Sequence, residues 1–313
     1  MTTIFFATDV HGSDICWKKF INAGKFYKAD ILILGGDMTG KAIVPIIQQG
    51  GSKWKCILLQ QDFNLSSEEE VVEMEKKVKS RGYYPYRTSK EEVADLGAHP
   101  ERVDELFRKE VLKTAEQWMA WADEKLKGSG MRCYVAPGND DMFALDDLIR
   151  TSTCVELAEG MIVPLDKDHE MVSSGWSNIT PWHTFREAEE SDLLARYEPM
   201  LSQLKNPSNS VFNFHVPPYG STLDECPELD DQLRPKYAGR SIIPVGSHAV
   251  RQIIERYQPL LGLFGHIHEA KGTARLGRTL CVNPGSLYEQ GRLQGVIINL
   301  TRDAVKSYML TNG

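Results

Sequence analysis

Ile4-Phe5-Phe6-Ala7-Thr8-Asp9-Val10-His11 opens the chain with four apolar residues that run directly into a carboxylate and an imidazole. A short apolar run ending in polar residues reads as a buried strand with function at its end. Within Cys16 to Lys28, Trp17, Phe20, Ile21 and Gly24 fall at helical spacing, and Ile31 to Leu34 repeats the strand pattern before Gly35-Gly36-Asp37. Strand, helix, strand is the opening of a layered α/β fold. The same strand texture returns at Cys133 to Ala136, Val211 to Val216 and Leu260 to Phe264. Helices are predicted where Leu193, Tyr197, Leu201 and Leu204, and later Val250, Ile253, Ile254 and Tyr257, share a face. Alternating runs at Arg278 to Val282, Gly295 to Leu300 and Ala304 to Leu310 predict a sheet-rich C-terminal half.

A chain of 313 residues suffices for two ordinary domains or for one α/β domain with an insertion. The texture between Lys41 and Gly130 favours the insertion. Ile43 to Gln48 and Trp54 to Leu59 flank Gly50-Gly51-Ser52 as a hairpin would. Ser67, with Glu70 three residues on, forms a capping box for a helix to Ser80, and Pro100 precedes an apolar stripe of Val103, Phe107, Val111, Ala115, Trp118, Ala122 and Leu126. Gly130 to Ala136 then resumes the buried-strand pattern. Residues 1–313 therefore read as one domain, with 41–130 a hairpin plus mainly helical insertion. Trp118, Met119 and Trp121 there are expected to leave apolar surface for a lid or a homo-oligomer contact.

Composition narrows the function classes. Apolar residues at 42% and charged residues at 25% exclude a disordered or disulfide-scaffold protein. A net charge of −7 disfavours a nucleic-acid partner held by its phosphate backbone. Cys16, Cys56, Cys133, Cys154, Cys226 and Cys281 are scattered without a C-x-x-C pair and read as free thiols. No apolar run is long enough for a spanning helix, and the chain starts in a strand without a leader. A cytoplasmic protein without a membrane partner is expected.

The chemistry gathers at strand ends. Asp9 and His11 lie two apart and in an extended chain share one side. Gly36-Asp37, Gly138-Asn139-Asp140-Asp141, His215 and Gly265-His266-Ile267-His268 end four further strands. A lone one of these has a bland reading: a turn, a helix N-cap before Met142 to Ile149, a core histidine. Their coincidence does not, because ligands collect at C-terminal strand ends of open α/β sheets. Seven oxygen and nitrogen donors, Asp9, His11, Asp37, Asn139, His215, His266 and His268, exceed the needs of one ion and suit two divalent cations, Mn2+ foremost, with Fe, Co or Zn as alternatives. Such a pair, about 4 Å apart, suits in-line displacement at phosphorus.

These D-x-H, G-D, G-N, H and G-H-x-H blocks, in this order, resemble the calcineurin-like metallophosphoesterases. The match runs from Asp9 to His268. The resemblance implies a sandwich of two mixed β-sheets flanked by helices and a dinuclear site. Asp9, His11, Asp37 and His268 would hold one ion, Asp37, Asn139, His215 and His266 the other, and Asp37 would bridge them. It implies hydrolysis of a small-molecule or nucleotide-like phosphoester by a hydroxide activated by the two metals, with Asn139, Asp140 and His215 as catalytic residues.

Where the family places a histidine after Asn139, thought to assist the leaving group, this chain has Asp140. An aspartate near its ordinary pKa is ionised at pH 7 and donates no proton unless its environment raises that pKa, so phosphodiesters or activated esters are expected to be favoured over monoesters. A phosphomonoesterase or nucleotidase at the same site is the alternative within the class. A fold-keeping but inactive binding protein is the alternative outside it, disfavoured because every ligand position is filled. Within Ser177 to Arg186, Arg186 is expected in a surface ion pair with a glutamate, or else as a phosphate clamp. Tyr219 is a candidate pocket residue, Asn283-Pro284-Gly285-Ser286 a structural turn, and His99, His169, His183 and His248 are ordinary.

Overall fold

The alternation along Ile4-Phe5-Phe6-Ala7 has two destinations: Ile4 and Phe6 enter a core between two sheets, whereas Phe5 and Ala7 enter a core under helices. A computed structural model describes all 313 residues. In the first sheet the strands run in the order Ala304–Asn312, Gln294–Thr301, Thr2–Ala7, Ile31–Leu34, Arg132–Val135, Val155–Leu157. The last four are mutually parallel and the first two pair antiparallel. In the second sheet the order is Gly272–Leu276, Thr279–Asn283, Leu261–Leu263, Val211–Phe214, Glu170–Ser174, Ile162–Pro164, with parallel pairs at the centre and antiparallel pairs at both edges.

Between the sheets Ile4, Phe6, Ile31, Ile33 and Val296 meet Met171, Val211, Leu261, Leu263 and Val282. Each such side chain, fully buried, contributes on the order of 2 kcal/mol. On the outer face of the first sheet, Phe5, Leu32 and Val135 pack under the helices Asp14–Tyr27, Pro100–Leu126 and Ala144–Ile149. On the outer face of the second, Val172, Phe212 and Phe214 pack under Glu190–Leu201 and His248–Tyr257. The resulting helix–sheet–sheet–helix arrangement is the mixed two-sheet sandwich expected from the sequence.

The 41–130 block carries more strand than its sequence discloses. The hairpin Ile43–Gly50 with Lys53–Leu58 is present, and Gln61–Leu65 and Tyr84–Thr88 extend it to four strands. Ser67 Oγ caps the helix Glu68–Ser80 by accepting from the Glu70 amide at 3.3 Å. Val44, Ile46, Cys56, Leu58 and Leu65 form a small separate core with Val71, Met74 and Val78 of that helix. The helix Pro100–Leu126 instead joins the main core. The apolar surface expected at Trp118 and Met119 is already covered: Trp118 stacks on Trp17 at 5.1 Å between ring centroids, and its indole N–H donates to Asp14 at 3.0 Å. All six cysteines are free, and no helix is long and apolar enough to cross a membrane.

Candidate metal centre

The parallel strands at the middle of both sheets end at a common edge, and the residues just beyond them turn inward. Asp9, His11 and Asp37 follow Thr2–Ala7 and Ile31–Leu34, Asn139 follows Arg132–Val135, His215 follows Val211–Phe214, and His266 and His268 follow Leu261–Leu263. The sharing of one side by Asp9 and His11 does not come from an extended strand. Both have left the strand and adopt positive φ, 52° and 38°, as do Asp37 at 47° and His266 at 64°. Left-handed backbone at a non-glycine residue costs on the order of 1 kcal/mol or more and persists where a site requires the side chain's direction. Two glycines make the approach possible. A Cβ at Gly36 would overlap the His215 ring, and one at Gly138 would overlap the Asp37 carboxylate.

Two groups of donor atoms result, Asp9 with His11 and His268, and Asp37 with His215 and His266. Asp37 Oδ2 lies 3.6 Å from His11 Nε2 and 3.3 Å from His215 Nε2, so one carboxylate faces both groups. His268 Nε2 lies 3.4 Å from Asp9 Oδ1 and 3.0 Å from His11 Nε2. Asn139 Oδ1 stands 2.8 Å from His266 Nδ1. Asp140 joins a third group with His11 and Asp37. The seven candidate ligands named from the sequence all fall within this assembly.

The buried carboxylates and imidazoles set one another's protonation. Against burial, the His268 hydrogen bond and the His215 charge hold Asp9 well below the usual carboxylate range, and His215 does the same for Asp37. Burial, with Lys41 nearby, pushes His11 down to about 3, and burial with His215 nearby pushes His266 down to about 4, leaving both imidazoles neutral. His215, buried against Asp37, is pulled up to about 10. Its Nδ1 proton goes to the Gly35 carbonyl at 3.1 Å, which aims Nε2 into the site, where that atom, like His11 Nδ1, is buried without a hydrogen-bond partner. Buried orphans of this kind are costly in a native protein and call for a ligand. Hard oxygen and borderline nitrogen donors without sulfur fit divalent cations. The donor set therefore fits divalent cations.

Comparison with known proteins agrees on architecture. One solved structure superposes over 99% of this chain and 98% of its own length at a TM-score of 0.59 and 16% identity. The crystal structure of TT1561 of Thermus thermophilus covers 100% and 98% at a TM-score of 0.53 and 13% identity. The fold is of the metallophosphoesterase type. At these identities the likeness is one of fold alone. An uncharacterized protein of Methanocaldococcus jannaschii, MJ1162, is 32% identical over 115 residues, 36% of this chain and 46% of that protein, so the match spans about half its length. No family model matches the chain.

Within this metallophosphoesterase-type frame several residues differ from their expected roles. Asp141 neither caps a helix nor faces the donors. Its carboxylate accepts from the amides of Met38, Thr39 and Gly138 at 2.8 to 2.9 Å and from Thr39 Oγ1 at 2.6 Å, and it is fully buried. It pins the ends of two strands together. Arg186 is neither a surface partner of a glutamate nor a phosphate clamp. It is 2% exposed, pairs with Asp146 at 2.6 Å and donates to the Asp141 carbonyl at 3.2 Å. Tyr219 stacks on His248 at 3.9 Å. Asn283 donates to the carbonyls of Gly265 and Ile267, and Ser286 to that of Asp9, so the turn they belong to buttresses the loops that carry the candidate ligands. Sequence reading missed Lys41, whose ammonium lies 3.2 Å from Asp140 Oδ2, and Tyr288, whose ring packs on His11 at 4.7 Å. The only signal for Lys41 is its place four residues after Asp37.

Proposed function

We propose that this chain hydrolyses phosphoesters, diesters before monoesters, at a centre of two divalent cations, Mn2+ foremost. Asp9, His11, Asp37 and His268 would hold one ion, and Asp37, Asn139, His215 and His266 the other. Such a pair supplies Lewis acidity toward phosphoryl oxygens and a water of lowered pKa. The observation that carries this reading is the single Asp37 carboxylate facing His11 and His215 at once, 3.6 and 3.3 Å away, inside two buried donor groups.

The chain's own residues account for the expected preference. Asp140 stands beside His11, with its Oδ2 3.9 Å from His11 Nδ1. Burial and the charge of Asp37 push its carboxyl up to about 6, so at neutral pH it is mainly anionic and only a minor protonated fraction can serve a leaving group. Lys41, whose ammonium is held charged by Asp140 and Asp37 against burial, balances that carboxylate. A diester presents one negative charge and can carry a better leaving group, whereas a monoester dianion meets the Asp140 carboxylate with an additional charge. His215 and Asn139 line the same centre as ligands and charge-stabilising groups. The substrate is proposed to be a small phosphoester, and the six free cysteines support a reducing, cytoplasmic setting.

The test is hydrolysis of bis(p-nitrophenyl) phosphate beside p-nitrophenyl phosphate by metal-stripped protein before and after Mn2+ is restored. Diester cleavage that returns with Mn2+ and vanishes in Asp37→Asn is expected. Faster monoester cleavage would overturn the diester preference, and turnover of neither ester would overturn the enzyme.

A further inference from the structure

A carboxamide is a cation ligand only when its oxygen, not its NH2, faces the cation, and nothing in the shape of the group chooses between the two. Around Asn139 the choice is made by hydrogen bonds. Its Nδ2 donates to Thr184 Oγ1 at 2.7 Å, which leaves Oδ1 beside His266. Thr184 Oγ1 has a single proton, and it lies 2.5 Å from Glu187 Oε1, an atom that can only accept while the carboxyl is ionised. Against burial, hydrogen bonds from Thr180 and Thr184 hold Glu187 below the usual range. The Thr184 proton is therefore spent on Glu187, and only lone pairs remain for Asn139.

The acceptor end is itself fixed. Glu187 also accepts from the Thr180 amide at 3.0 Å, from Thr180 Oγ1 at 2.6 Å and from the Thr184 amide at 2.9 Å. The same loop grips the turn from the other side, with the Arg186 amide donating to the Asn139 carbonyl at 3.2 Å.

We propose that Thr184, with its proton committed to Glu187, is a positioning residue that sets which end of the Asn139 carboxamide faces the candidate cation centre. This rests on the reading of Asn139 as a ligand. Outer partners of metal ligands typically change affinity by about 10- to 100-fold when removed.

Mn2+ titration by calorimetry on the full chain tests it, with thermal unfolding as a control. The wild-type chain is expected to bind two ions. Thr184→Val, which keeps the shape but loses the acceptor, should weaken one site about tenfold or more and spare the other. Thr184→Ser should restore it. Glu187→Ala removes the acceptor of the Thr184 hydroxyl, frees that proton to turn toward Asn139 and should weaken the same site. Two ions in the wild type with undiminished affinity in Thr184→Val would overturn the relay alone. Weakening of both sites together, or no rescue by serine, would also overturn it and mark Thr184 as mere packing. No Mn2+ uptake by the wild type would overturn the cation reading and the relay with it.

Discussion

Asp141→Asn isolates the bond that pins the two strand ends. In the native chain Oδ2 accepts from the amides of Met38 and Gly138, and Oδ1 from the amide and hydroxyl of Thr39. An asparagine has one acceptor end. Its less costly rotamer turns NH2 toward Thr39, where the hydroxyl can rotate to accept but the amide faces another donor. One orphaned buried N–H costs about 2 kcal/mol, and the two surviving bonds each lose about 1 kcal/mol of charge assistance, for a total of about 4 kcal/mol. Urea unfolding at mildly alkaline pH, away from the upward-shifted titration of the buried Asp141 carboxyl, reads this directly. A loss below about 1 kcal/mol with an unchanged m-value would refute the reasoning, since the orphaned amide alone exceeds it.

Three further outcomes are expected. Asp140→His should raise p-nitrophenyl phosphate turnover relative to bis(p-nitrophenyl) phosphate by at least about threefold, within the range general acid catalysis provides; an unmoved ratio removes Asp140 from the specificity argument. Gly138→Ala should displace the Asp37 carboxylate and weaken Mn2+ binding about tenfold or more, at a stability cost of about 1–3 kcal/mol; calorimetry showing native affinity would contradict the close approach. Asp166, whose carboxyl is held at about 2 against burial by Thr2 and His169, contributes about 2 kcal/mol at neutral pH that is lost as the pH falls from 3.8 through 2. Asp166→Asn should therefore match the wild type only at the acid end of a pH series of unfolding midpoints, and a difference constant down to pH 2 would argue against it.

The central strands were legible because they are short apolar runs ending in Asp, Asn or His, buried on both faces; their arrangement as a two-sheet sandwich came from the family resemblance that those end residues carry. Ile31 to Leu34 is apolar at every position for that reason. The seven donors were legible for the same reason, as polar residues at apolar strand ends. What the sequence hides depends on distant contacts. Gln61–Leu65 is largely polar and exposed, and Tyr84–Thr88 contains Pro85, a residue that argues against a strand except at a sheet edge, which is where that strand lies. Arg186 finds Asp146 forty residues away in sequence. The left-handed turns at Asp9 and His11 have only a weak local signature, since Asp and His adopt positive φ more often than other non-glycine residues but still uncommonly.

The division of ligands between the two sheets bears on biogenesis. The first 140 residues deliver Asp9, His11, Asp37 and Asn139, and the remaining three imidazoles arrive only with His215, His266 and His268. A nascent chain extruded only through these 140 residues carries Asp9, Asp37 and Asp140 with His11, and still lacks Gln294–Thr301 and Ala304–Asn312, the strands that complete the first sheet. The proposed metal centre can therefore be completed only late in synthesis, once the second half of the polypeptide has joined the first.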